Sequence, residues 1–180
     1  MITIIFEAHA TTEDNEAKLA AGWYDVALSK LGEQQARELG ERYRGQSFDA
    51  IFCSDLQRSY KTAQLAFGNK YPIIQDKRLR ECNYGDMSRA PKDTVDAYKS
   101  QALTTPYPNG ESYQDTSSRM KSFLEDLLKD YDGKTILIIG HRATQYGLDQ
   151  WIKGMELKEA VLAPWKWQPG WEYTLTSLGN

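Results

Sequence analysis

Thr135-Ile136-Leu137-Ile138-Ile139-Gly140-His141 is a short, β-branched apolar run with a histidine at its end. A run of that length and composition, followed by helix-forming sequence, reads as a buried strand. The chain holds two histidines, and the other closes a run of the same kind, Ile2-Thr3-Ile4-Ile5-Phe6-Glu7-Ala8-His9. In an open α/β sheet, ligands settle in the crevice at the carboxyl ends of the strands. Two imidazoles delivered to that edge from opposite ends of the chain are expected to share one site.

Working outward from these strands, residues 10 to 24 read as a polar loop. Ser29 is placed to cap a helix with Leu31, Ala36, Leu39 and Tyr43 on its core face, stopped by Gly45. Phe48-Asp49-Ala50-Ile51-Phe52-Cys53 is a second strand. Ser54-Asp55 then opens a helix through Arg58, Thr62 and Leu65 that closes near Gly68, which makes Ser54 a cap rather than a nucleophile. Tyr71-Pro72-Ile73-Ile74 carries a proline and reads as a short edge strand. Residues 79 to 90 look irregular, and Pro106, Pro108, Asn109 and Gly110 make a turn. A long amphipathic helix runs from Ser112 to about Tyr131, and another from about Ala143 to Lys153. After Trp165-Lys166-Trp167, whose rings read as packing groups, Pro169-Gly170 turns into a final strand or hairpin at Glu172-Tyr173-Thr174-Leu175. Strands alternating with helices predict an α/β fold with a mostly parallel central sheet, in one domain over residues 1 to 180.

With 180 residues, 41% hydrophobic and 26% charged, the chain is long enough for a substantial core. A net charge of -3 and no basic run argue against a nucleic-acid partner. An anionic ligand must then be held by a local cluster of arginine or lysine. Nothing reads as a secretory leader or reaches membrane-spanning length, so a cytoplasmic protein with no membrane partner is expected. The only cysteines, Cys53 and Cys82, leave open a lone disulfide, but without a secretory context a reduced pair is favoured. The histidines and acids lack the close spacing of a zinc site, so neither metal nor other cofactor is expected. Oligomeric state is not written in the sequence.

Beyond the two strands, His9 is followed by Asn15, Gly22-Trp23, Asp25, Leu28-Ser29, Gly32 and Gln35-Ala36. Later come Ser54-Asp55-Leu56-Gln57-Arg58-Ser59-Tyr60-Lys61-Thr62-Ala63, Leu79-Arg80-Glu81 with Tyr84-Gly85, Asn109-Gly110-Glu111-Ser112, and Ile138-Ile139-Gly140-His141. In types, spacing and order these segments resemble the histidine phosphatases, the superfamily that includes the cofactor-dependent phosphoglycerate mutases. The resemblance implies a phosphoglycerate mutase-like three-layer α/β/α fold. It also implies His9 as a nucleophile that takes a phosphoryl group, Arg58 and His141 as its oxygen ligands, and Glu81 as the acid and base. The residue types suit this chemistry: neutral imidazole is nucleophilic near neutral pH, and phosphoryl transfer needs mainly positioning and positive charge. Asn15 and Ser112 are further candidates for binding substrate, though each serves equally well as a turn former. Glu111 is expected to order its own loop.

The first motif departs from the family. Where the histidine phosphatases carry Arg-His-Gly, this chain has Ala8-His9-Ala10. Loss of a charge-assisted contact to phosphate costs about 1.5–3 kcal/mol, or on the order of 10- to 150-fold in rate. Arg142, directly after the second histidine, replaces a glycine usual in the family. Either it supplies the missing guanidinium or it pairs with Glu7, an acid at the end of an apolar strand. The expected activity is metal-independent hydrolysis of a small phosphorylated metabolite, with Arg80, Arg89 and Lys92 as contacts to a second anionic group. The alternatives are mutase-type phosphoryl transfer, for which the segment between Tyr84 and Pro108 is short, and a weakly catalytic sensor of a phosphorylated ligand.

Overall fold

The computed structural model describes residues 1–179. Five strands, β1 (Ile2–Ala8), β2 (Ala50–Cys53), β3 (Ile73–Gln75), β4 (Thr135–Gly140) and β5 (Trp171–Leu175), form one sheet in the order β3-β2-β4-β1-β5. All pairings are parallel except that of β5, which runs antiparallel along β1. The two histidine-bearing strands are neighbours, with Ala8 paired to Gly140, so His9 and His141 leave the same edge side by side.

Alternation along β1 divides the core into two layers. Ile2, Ile4 and Phe6 pack with Met120, Phe123, Leu124 and Leu127 of α5 (Tyr113–Asp130) and Leu148 of α6 (Arg142–Lys153). Ile5 faces the other way, with Ile51, Leu137 and Ile139, onto Leu39 of α2 (Lys30–Arg42) and Ala63 and Phe67 of α3 (Gln57–Phe67). Helices therefore cover both faces, as an apolar parallel sheet requires.

A third cluster lies beside the edge that bears the histidines. Tyr84, Tyr107, Tyr113 and Tyr146 pack there with Val95 of a short helix, α4 (Lys92–Tyr98), with the Tyr107 and Tyr113 hydroxyls 3.1 Å apart. This helix was not legible in the sequence, nor was α7 (Leu157–Leu162), nor the one-turn helix α1 (Glu13–Glu16) inside the first loop. Each is under two full turns, too short for a periodic pattern to show.

Leu31 departs from expectation. It is 50% exposed, whereas Gly32, Ala36 and Leu39 are buried. The helix turns Gly32 inward because α2 crosses the first loop at contact distance: a Cβ on Gly32 would lie 1.9 Å from the Thr11 carbonyl oxygen. Leu31, one residue earlier on the helix, is carried out to solvent. Both cysteines are free and buried. Among the described residues no helix is long and apolar enough to cross a membrane.

Candidate active site

His9 and His141 stand with ring centroids 5.1 Å apart. The ring Nδ1 of His9 is 2.7 Å from the Ala10 carbonyl oxygen. A carbonyl can only accept, so Nδ1 carries the proton and Nε2 keeps its lone pair. Removal of water from the ring and then the charge of Arg58 push the His9 pKa down to about 3, against the opposing pull of the Ala10 bond. The ring is thus neutral throughout the ordinary pH range. The loop behind it is fixed by the Ala10 N–H donating to Thr62 Oγ1 at 3.1 Å and the Thr11 N–H to Gln35 Oε1 at 2.9 Å.

His141 is fully enclosed, and burial, followed by Arg58 and His9, holds its pKa well below the imidazole range. Its Nε2 lies 2.6 Å from Ser54 Oγ, while Nδ1 is buried without a partner. If the serine hydroxyl donates to Nε2, the ring proton sits on Nδ1 as an unmet donor, which an oxyanion in the site would satisfy. Ser54 therefore does not cap the helix after β2. That helix starts at Gln57 with Leu56 in the cap position, and the serine is occupied with the histidine instead. Replacing Ser54 by alanine frees the ring's tautomer and is expected to lower kcat by roughly 2- to 10-fold, the value of one neutral hydrogen bond. Steady-state phosphate release reads this, with the melting temperature as a check on folding.

Arg58 is buried, 3% exposed. It donates through Nη2 to the Gly22 carbonyl at 2.6 Å and through Nη1 to the Tyr24 carbonyl at 3.1 Å. Those bonds orient the guanidinium and leave its other N–H groups for an anion. Gly22 has φ +58°, and a Cβ there would meet Tyr84 at 2.9 Å, so the turn that holds Arg58 calls for glycine. Glu81 accepts at Oε1 from the Cys82 N–H at 2.8 Å and the Ala143 N–H at 3.2 Å. Its own carbonyl is gripped by Trp23 Nε1 at 2.7 Å and Arg119 Nη2 at 2.9 Å. Sequence reasoning missed Ser54, Trp23 and Arg119 as supports.

His9, Arg58, Glu81 and His141 line a cavity of about 910 Å³. Its walls include Asn15, Tyr84, Lys92, Lys99, Arg142 and Trp165. Asn15 uses Oδ1 to accept from the Thr12 N–H at 3.0 Å, so its amide group remains for a ligand. Ser112 is corrected: it does not line the cavity, because its hydroxyl caps α5 and bonds Asp115. Of the cations expected to meet a second anionic group, Arg80 pairs with Asp55 and Arg89 with Asp14, and only Lys92 reaches the cavity. Glu111 does order its loop, through the Asn83 N–H and Arg119. Among the described residues no three His, Cys, Asp or Glu side chains converge as a metal ion would need.

Glu7 does not pair with Arg142. Its Oε1 accepts from Arg42 Nη2 at 2.9 Å and from the Tyr43 hydroxyl at 2.7 Å. Alternation on β1 points Glu7 to the side of α2, whereas Arg142 runs along α6 to bond Gln145 Oε1 at 2.7 Å. Glu7 is 1% exposed, so removing a partner leaves carboxylate charge poorly compensated. Tyr43→Phe is expected to lower unfolding free energy by about 1–3 kcal/mol, read by urea titration.

The sequence pattern of the histidine phosphatase superfamily, branch 1, matches residues 4–166. A phosphatase of Bacillus subtilis (strain 168), described as uncharacterized and named PhoE, is 30% identical over 86% of this chain and 79% of its own length. A 2,3-bisphosphoglycerate-dependent phosphoglycerate mutase of Cytophaga hutchinsonii is 32% identical over 78% of this chain and 72% of its own. The solved structure of YhfR from Bacillus stearothermophilus superposes with a TM-score of 0.81 at 26% identity, covering 94% of this chain and 88% of that one.

Proposed function

This chain belongs to the histidine phosphatase superfamily, and on that premise we propose that it hydrolyses phosphomonoesters of small metabolites through phospho-His9, without a metal. The observation that carries this reading is the pairing of a neutral, oriented His9 with the unmet Nδ1 of His141 and the buried Arg58 across one cavity. His9 Nε2 attacks phosphorus, and the bond from phosphorus to the ester oxygen breaks in line. Arg58 and the His141 Nδ1 proton take the charge on the equatorial oxygens. Glu81, held at Oε1 by backbone N–H groups, gives a proton to the departing alkoxide. It then takes one from the water that attacks phospho-His9, releasing inorganic phosphate and restoring the imidazole.

With Ala8 before His9, Arg58 is the guanidinium this reading assigns to the transferring phosphoryl group. Arg58 is the leading charge acting on both imidazoles, with smaller contributions from Arg119 and Arg80 at His141. Arg142 lines the same cavity, with its guanidinium engaged by Gln145 and by the Tyr146 and Trp165 rings. The proposal is tested by phosphate release from a panel of alkyl and aryl phosphomonoesters in the presence of a chelator. Turnover that persists under chelation supports it. Failure on every ester, or activity only with added metal, overturns it.

A further inference from the structure

Arg142 is held in place but not used up. Its guanidinium lies over the Tyr146 ring at 4.8 Å and the Trp165 ring at 5.0 Å. Gln145 Oε1 ties the assembly together, accepting from Arg142 Nη1 at 2.7 Å and from Trp165 Nε1 at 3.0 Å. Among the described residues nothing accepts from its Nε or Nη2. An arginine clamped by aromatic faces and an amide, with donors to spare on a cavity wall, is preorganised for an anion.

The same tyrosine holds a second cation. Lys99 Nζ lies 3.3 Å from the Tyr146 hydroxyl and 3.0 Å from Asp96 Oδ1. Asp96 is shared with Lys92, and Lys92, Asp96 and Lys99 line the cavity. Lys92 and Lys99 share the Asp96 carboxylate and Arg142 pairs with none among the described residues, so these side chains carry a local positive excess on a chain of net charge -3. Arg142 and Lys99 are both anchored at Tyr146, whereas Arg58 is tied to the Gly22 and Tyr24 carbonyls, so the two groups of cations are held by different parts of the fold.

We infer that Arg142 and Lys99, grouped around the Tyr146 ring, form a second anion subsite. The substrate of the hydrolase proposed above, on which this inference rests, is then a phosphomonoester carrying a carboxylate or a second phosphate away from the scissile bond. Lys99 and Arg142 hold that far group while His9 and Arg58 hold the near one, so the ester is bound at both ends and its reacting end is oriented.

The test uses n-butyl phosphate and the same ester bearing either a carboxylate or a second phosphate at the far end of its chain. Wild type is expected to favour at least one anionic-ended ester over butyl phosphate by roughly tenfold or more in kcat/KM. A preference for the carboxylate or the phosphate end identifies which group the subsite takes. In Arg142→Ala and in Lys99→Met that preference falls by about fivefold or more, and Arg142→Lys keeps part of it. No preference in wild type, or a preference that survives both substitutions, overturns the subsite. An equal loss on all three esters in Arg142→Ala also overturns it and moves Arg142 to the transferring phosphoryl group. Calorimetric binding of the three esters to the His9→Ala protein, which does not depend on turnover, separates failure of the subsite from failure of the hydrolase reading.

Discussion

Replacing His9 by alanine is expected to lower kcat by roughly 10⁴-fold or more on every ester the wild type hydrolyses, the scale of losing a covalent nucleophile. No other side chain in the cavity offers a lone pair prepared in the same way. The His9 ring is outside the apolar clusters, so the variant is expected to fold, with a melting temperature close to that of wild type. The pH profile carries a second signature. Because the folded His9 pKa is pushed down to about 3 from 6.5, the ring gains its proton only in strong acid. The acid limb of kcat/KM for wild type therefore lies well below the ordinary imidazole range. A limb at the ordinary imidazole value would mean that water reaches the His9 ring freely and that Arg58 does not act on it. The same depression acts on stability: the unfolded chain binds the proton as pH falls below 6.5 and the folded one does not, so this contribution is present above 6.5 and lost towards 3.

Glu81→Gln separates the two halves of the reaction. Glutamine keeps the acceptor that Cys82 and Ala143 use but carries no transferable proton. Alkyl phosphates, whose alkoxide must be protonated as it leaves, are expected to lose roughly 10²- to 10⁴-fold in kcat. With p-nitrophenyl phosphate the leaving group departs as a stable anion, so the first step survives and release of the phosphoryl group from His9 becomes limiting. Stopped-flow absorbance should then show a burst of p-nitrophenolate followed by slow turnover. Equal losses on both esters with no burst would assign the proton transfers to another group.

The fold was legible because its decisive strands are apolar runs ending in recognisable polar residues, and the long helices have a clear apolar face. His9, Arg58, Glu81 and His141 line one cavity, and each stands in a local segment that resembles a family motif. The supports around them were not legible. Ser54 meets His141 across 87 positions of sequence, and Trp23 and Arg119 reach the Glu81 carbonyl across 58 and 38. No local pattern encodes such contacts. The misreading of Glu7 has a definite cause: Glu7 and Arg142 belong to neighbouring strand ends, but opposite sheet faces receive their side chains. Sequence reveals the shared edge more readily than the direction in which a side chain leaves it. Ser112 was misread for the opposite reason, since a serine before a helix is a cap first and a ligand only when its hydroxyl is spare.

Trapping the covalent intermediate is the decisive measurement. Wild type is mixed with a hydrolysed ester, quenched rapidly in alkali, where phosphohistidine survives, and digested for mass spectrometry. A single phosphoryl group on the peptide containing His9, absent from His9→Ala, is the predicted result. A phosphoryl group on Ser54 or another residue, or no phosphoprotein at any time during turnover, would contradict it.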